Sequence, residues 1–86
     1  MLEKKIIVNN KTGLHARPAG ELTKLSSKFQ SSIQITFDNK VVNTKSIMSI
    51  LSSCIKGGSE IMLHICGDDE ELAFGELTKF FENLTD

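Results

Sequence analysis

His15 and Arg17 stand two residues apart, with Gly13 before them and Pro18 directly after. A neutral imidazole nitrogen is a nucleophile able to accept a transferred group. A guanidinium is a forked, permanently charged donor suited to phosphate oxygens. Gly13 allows a tight turn after the preceding strand pattern. Pro18 fits only if a helix begins near Ala16, because first-turn N–H groups have no intrahelical acceptor for proline to remove. His15 then falls at the N-cap, beside free N–H groups and the positive end of the helix dipole. A dianion is best received there, and the imidazolium form is disfavoured. The chemistry these residues could do is to take up a phosphoryl group and hold it. A plainer use, His15 as a cap and Arg17 as a solvated charge, fits the same spacing, which leaves both open.

The elements that must position these residues follow from hydrophobic periodicity. Ile6-Ile7-Val8 marks a strand over Lys4–Asn9. A helix from Ala16 to Lys28 places Ala19, Leu22, Leu25 and Phe29 on one stripe. Gly20 interrupts it at a cost of about 1 kcal/mol against alanine, unless a partner surface needs the space. Ile33 to Phe37 alternates as a half-buried strand, Asp38-Asn39 signals a turn, and Lys40 to Asn43 returns. Ser46 is a suitable N-cap for a short helix from Ile47 to about Cys54, with Ile47, Ile50, Leu51 and Cys54 on one side and Met48 at the edge. Gly57-Gly58 is expected to end that helix. Glu60 to Cys66 alternates again, with Ile61, Leu63 and Ile65 on one face and His64 on the exposed one. Gly67 to Glu71 opens a last helix with capping acidic residues, and Ala73, Leu77, Phe80, Phe81 and Leu84 form its stripe. The predicted order is β-α-β-β-α-β-α, an α+β fold with helices packed on one side of an antiparallel sheet.

Bulk properties narrow the function. Eighty-six residues make one domain, 1–86, with a modest two-layer core. A net charge of −1 gives no basic excess for nucleic acid. No apolar run approaches the ~20 residues of a membrane helix. The first residues enter a strand pattern with no signal-peptide character, so a cytoplasmic protein is expected. Cys54 and Cys66 are the only cysteines. Lying on patterned segments, they read as small apolar side chains, and their spacing with His15 and His64 suggests no metal site.

Gly13-Leu14-His15-Ala16-Arg17-Pro18-Ala19 resembles the phosphorylation-site signature of the HPr family, the histidine-containing phosphocarriers of the bacterial phosphoenolpyruvate-dependent sugar phosphotransferase system. Lys45-Ser46-Ile47-Met48 resembles that family's regulatory serine segment. Length and element order agree along the whole chain. The resemblance implies an open-faced two-layer sandwich, a four-stranded antiparallel sheet with three helices on one face, in which the two motif-bearing helix starts lie close together. It implies that His15 accepts a phosphoryl group from phosphorylated enzyme I and passes it to IIA domains of sugar permeases, with Arg17 steadying the phosphate. Such a protein is a stoichiometric relay rather than an enzyme, a monomer that needs no cofactor and enters neither membrane nor nucleic acid.

Thr12, Leu14, Ala16, Gly20, Ile47, Met48 and Leu51 would form the partner surface. Ser46 would be the target of HPr kinase/phosphorylase, and its phosphate would set a charge beside that apolar surface. Four departures lie just downstream: Ser49 where glycine is common, Ser53 where leucine is usual, Cys54 for a small residue, and Lys56-Gly57 for an alanine–lysine pair. They bear on partner and kinase recognition and leave the His15 motif intact. A second reading is an HPr-like regulatory module that binds a catabolite-control transcription factor or a metabolic enzyme according to Ser46 phosphorylation. A hydrolase using His15 as general base is disfavoured, since no carboxylate is placed in sequence to orient the ring.

Overall fold

The alternating segments form one antiparallel sheet in the computed structural model, which describes residues 1–84. Thr85 and Asp86, the end of the single domain expected over 1–86, lie outside the described residues. The elements are β1 (Leu2–Ile7), α1 (Ala16–Ser26), β2 (Ser32–Phe37), β3 (Lys40–Asn43), α2 (Ile47–Ser53), β4 (Glu60–Cys66) and α3 (Glu70–Glu82). Strand order is β1-β4-β2-β3, every neighbouring pair antiparallel. The last strand therefore lies between the first and second, an order that the alternation of each strand does not encode. Helix α1 ends at Ser26 rather than Lys28, and Ser32 already belongs to β2. Among the described residues no helix is long and apolar enough to cross a membrane.

One face of the sheet supplies Ile6, Ile33, Ile35, Val42, Ile61, Leu63 and Ile65 to the core, where Ala19, Leu22, Ala73, Leu77 and Phe81 of the helices meet them. Leu25 and Phe80 pack at the margin. The β2–β3 hairpin closes through Asp38 and Asn39, with φ of 52° and 65°. Two successive left-handed residues match the twist of a two-residue hairpin, and Asp and Asn tolerate that conformation.

Three local expectations are corrected. Helix α2 buries Ile50 and Ser53, while Ile47 and Leu51 are 40% and 38% exposed and Cys54 lies outside the core. The helix ends on Cys54 itself, held left-handed at φ 56°, rather than on Gly57-Gly58. Cys66, the last residue of β4, is exposed as well, so neither cysteine is an apolar filler. His64 is only 22% exposed: Nδ1 lies 2.6 Å from Glu3 Oε2 and Nε2 lies 2.9 Å from Thr36 Oγ1. A carboxylate only accepts, so Nδ1 carries the hydrogen toward Glu3, and the Thr36 hydroxyl, which can donate or accept, meets Nε2. The side chain thereby links three strands, β1, β4 and β2.

The acidic run at the start of α3 divides in two: Glu70 and Glu71 stand in the first turn, where the dipole favours them, and Glu70 Oε1 accepts the Gly67 N–H at 3.0 Å. Asp69 makes no side-chain cap hydrogen bond. Its carboxylate accepts from the N–H groups of Gln30 and Ser31, each at 2.9 Å, and from the Ser31 hydroxyl. The start of α3 is thus tied to the loop joining α1 and β2. These donors, the Ser31 hydroxyl foremost and then the Gln30 N–H, hold the Asp69 carboxyl below its ordinary value of 3.8. A depressed folded value means the stabilisation is present above the unfolded value and is lost as pH falls through the folded one. Asp69→Asn should therefore melt below the unmodified protein at neutral pH. The two melting temperatures should converge as the pH drops beneath 3.8. A deficit that persists unchanged in acid would show that the charge is not what ties the loop.

Candidate phosphoryl-acceptor site

The site begins with backbone. Beyond the end of β1, Val8 N donates to Ser59 O at 2.9 Å and Gly58 N donates to Val8 O at 2.8 Å. Leu14 N then donates to Ile55 O at 3.0 Å, so the loop before α1 runs along the turn after α2. Glycines permit the approach. A Cβ on Gly13, whose φ is 72°, would stand 2.2 Å from Ile55 O, and one on Gly57 would stand 2.2 Å from both Asn10 O and Lys11 O. Real side chains do not fit at such distances. Inside the loop, buried Asn10 donates from Nδ2 to Gly13 O at 2.8 Å. Leu14, expected at the partner surface, is instead 3% exposed and roots the loop in the core.

His15 follows this anchor directly. Its backbone is extended, at φ −85° and ψ −167°, and its carbonyl accepts the Ala19 N–H at 2.8 Å. It is the N-cap of α1, yet its ring makes no capping hydrogen bond and is exposed. The Ala16 N–H opens the helix with no acceptor inside it, and buried Pro18 fixes the first turn. Backbone, rather than ring, therefore determines the cap, and the imidazole projects to solvent beside the positive helix end. That arrangement leaves a nitrogen lone pair accessible and favours a dianion bonded to it.

Arg17 is exposed on the same turn. Its Nη1 lies 3.4 Å from Glu21 Oε1, a side chain four residues on that sequence reading did not single out. Thr12 and Ala16 are exposed alongside. Gly20 faces α2: a Cβ there would sit 3.8 Å from Ile47 Cδ1, an ordinary contact. The first residue of α2 therefore packs on the second turn of α1. Ile47, Leu51 and Met48, the last 68% exposed, continue the surface past that contact. Ser46 caps α2 by accepting the Ser49 N–H at 3.2 Å. Among the described residues no group of three His, Cys, Asp or Glu is placed to hold a metal ion.

An exposed histidine at a helix N-terminus on an open-faced β-α-β-β-α-β-α sandwich defines a protein that presents an imidazole on a surface rather than in a pocket. Comparison with known proteins gives that architecture its family. The family described as PTS HPr component phosphorylation site matches residues 2–83, and the chain belongs to this HPr family of phosphocarrier proteins, which are carriers rather than enzymes. The phosphocarrier protein HPr of Xylella fastidiosa strain 9a5c is 42% identical over 96% of this chain and 93% of its own. The HPr-like protein Crh of Halalkalibacterium halodurans is 45% identical, covering 95% and 98% respectively. The crystal structure of HPr from Thermoanaerobacter tengcongensis superposes with a TM-score of 0.91 at 48% identity, over 95% of this chain and 92% of that one. Relatives of both names, HPr and Crh, thus stand at similar distances.

The glycine contacts generate a prediction. Gly13→Ala adds a side chain both at a left-handed backbone position and against the Ile55 carbonyl. It should destabilise the fold by about 3 kcal/mol. Crosspeaks of His15 and of Ile55 to Ser59 should shift together in a two-dimensional amide spectrum, because one contact holds both segments. A neutral effect on melting would show that the loop is not pinned there.

Proposed function

We propose that this chain is the relay between phosphorylated enzyme I and the IIA domains of sugar permeases, carrying the phosphoryl group on His15. The observation that supports this most directly is the exposed, uncapped His15 ring at the N-terminus of α1. In uptake a ring nitrogen of His15 attacks phosphorus in line, and in delivery the acceptor attacks while His15 is the leaving group. A new P–N bond forms as the P–N bond to the donor histidine breaks, and the reverse exchange delivers the group onward. Phosphoryl transfer of this kind needs positioning and charge stabilisation more than covalent chemistry from the protein. Arg17 supplies a guanidinium and α1 its dipole. On this reading the chain works in the cytoplasm, as a monomer without cofactor, and Thr12, Ala16, Gly20, Ile47, Met48 and Leu51 meet the partners.

Incubation with phosphoenolpyruvate and enzyme I, followed by intact mass, tests the reading. One phosphoryl group should be gained, stable in base and lost in acid as a phosphoramidate is. His15→Ala should abolish it with the fold retained; uptake by that variant would overturn the assignment. Arg17→Ala should slow transfer about tenfold or more, the order expected for losing a hydrogen bond between charged groups. Its melting temperature should hardly change, because the side chain is exposed.

A second reading, control through Ser46, is favoured by one observation: the serine lies at the start of α2, directly before the exposed residues Ile47, Met48 and Leu51. A phosphate placed there by HPr kinase/phosphorylase would be favourable to the helix and would put about −1.5 to −2 charges at the rim of an apolar docking surface. The same charge could recruit a catabolite-control transcription factor. Ser46→Asp should reduce the rate of His15 phosphorylation without lowering the melting temperature, and added salt should shrink the difference. Equal rates for unmodified and Ser46-phosphorylated protein would leave Ser46 as a helix cap only.

A further inference from the structure

The helix that presents His15 also carries an anion of its own. Glu21 Oε1 lies 3.4 Å from Arg17 Nη1, with both side chains about half exposed. Together they border a groove between α1 and α3 lined further by Leu25, Glu76, Lys79 and Phe80. His15 precedes Arg17 by two residues and Glu21 follows it by four, so the two anchoring points are separated by about 9 Å of helix rise. The Nη1 hydrogen given to the Glu21 carboxylate is not available at the same time to a group on His15. A phosphoryl group on His15 therefore competes for the guanidinium with a carboxylate already beside it.

The geometry points to Glu21 as a positioning residue that engages Arg17 while His15 is bare and competes with the phosphoryl group for it. This rests on the reading of His15 as the phosphoryl acceptor. Every phosphorylation then draws Arg17 from Glu21 toward the phosphoryl group, which lowers the affinity of His15 for the group and eases its onward release. The size of the effect is bounded by exposure. A half-exposed ion pair four residues apart on a helix contributes little, so the exchange is worth about twofold in phosphoryl affinity and weakens with salt.

A competition at equilibrium reads this directly. Unmodified protein and Glu21→Gln, one of them isotope-labelled, share a limiting supply of phosphoryl groups through catalytic enzyme I, and intact mass gives the share held by each. Glu21→Gln should hold about twice as much, and the ratio should fall toward one at high salt. The same comparison made between Arg17→Ala and the Arg17→Ala, Glu21→Gln double variant should give equal shares, because Glu21 acts through Arg17. Slow uptake by the Arg17 variants only lengthens the incubation, since shares at equilibrium do not depend on rate. Phosphorylation of His15 with equal shares, or with an advantage that survives undiminished without Arg17, overturns the role of Glu21 and leaves the carrier reading standing. Failure of both proteins to take up any group overturns the carrier reading, and the role of Glu21 with it.

Discussion

The placement of His15 depends on two backbones running closer together than side chains allow. Residues 8–14 lie along residues 55–59, joined by hydrogen bonds at Val8, Leu14 and Gly58. Each bond contributes about 1 kcal/mol net. The larger point is geometric, because the approach is open only where Gly13 and Gly57 lack a Cβ. This contact prolongs the β1–β4 pairing past the end of both strands. It brings the loop into register with the turn after α2, and Leu14 then enters the core. His15 is therefore held from behind by buried structure while its ring stays in water.

That division of labour suits a relay. On the carrier reading, a nucleophile in a cleft would admit one partner shape, whereas an exposed one beside an apolar patch can meet several in turn. Met48, the most exposed of the three α2 residues, is unbranched and polarisable and adapts to different surfaces. Ile47 lies over Gly20, which joins the patch to α1. On the carrier reading, affinity for each partner must stay modest so that exchange is fast, and a small patch of this kind is consistent with weak, transient encounters.

How much of this was legible in the sequence depended on the range of the signal. Strand alternation identified Ile33, Ile35, Ile61, Leu63 and Ile65 as core, and Ser46 was recognisable as a cap because capping is a local hydrogen bond. His15 could be placed at a helix start from Pro18 alone. Helix α2 was misread because a two-turn helix presents too few positions for a stripe to be resolved, and Ser53, a polar residue, occupies the buried side. The pairing of Gly13 with the turn at Gly57 had no local signature, since 44 positions separate them. The same holds for Asp69 with Ser31 and for His64 with Glu3, whose partners are brought in by the fold. Glu21 belongs to no motif, although its distance from Arg17 along a helix is the one at which ion pairs form.

Ser49, where the resemblance implied glycine, makes a contact next to Ser46 that a glycine could not. A glycine at this position would offer only its backbone N–H to Ser46, and Ser49 does offer that bond, at 3.2 Å. Its hydroxyl adds another, accepting the Asn43 N–H at 3.1 Å, while Asn43 Oδ1 accepts the Lys45 N–H at 3.0 Å. The end of β3 and the first turn of α2 are thus joined through side chains on both sides of Ser46. A hydroxyl that accepts one hydrogen bond retains a proton to donate. A phosphate on Ser46 would meet the Ser49 N–H and a neighbouring hydroxyl able to turn toward it, at the helix end that favours negative charge. The serine that replaces glycine therefore stiffens the turn and enlarges the set of donors around Ser46, both of which are compatible with a charged group at that position.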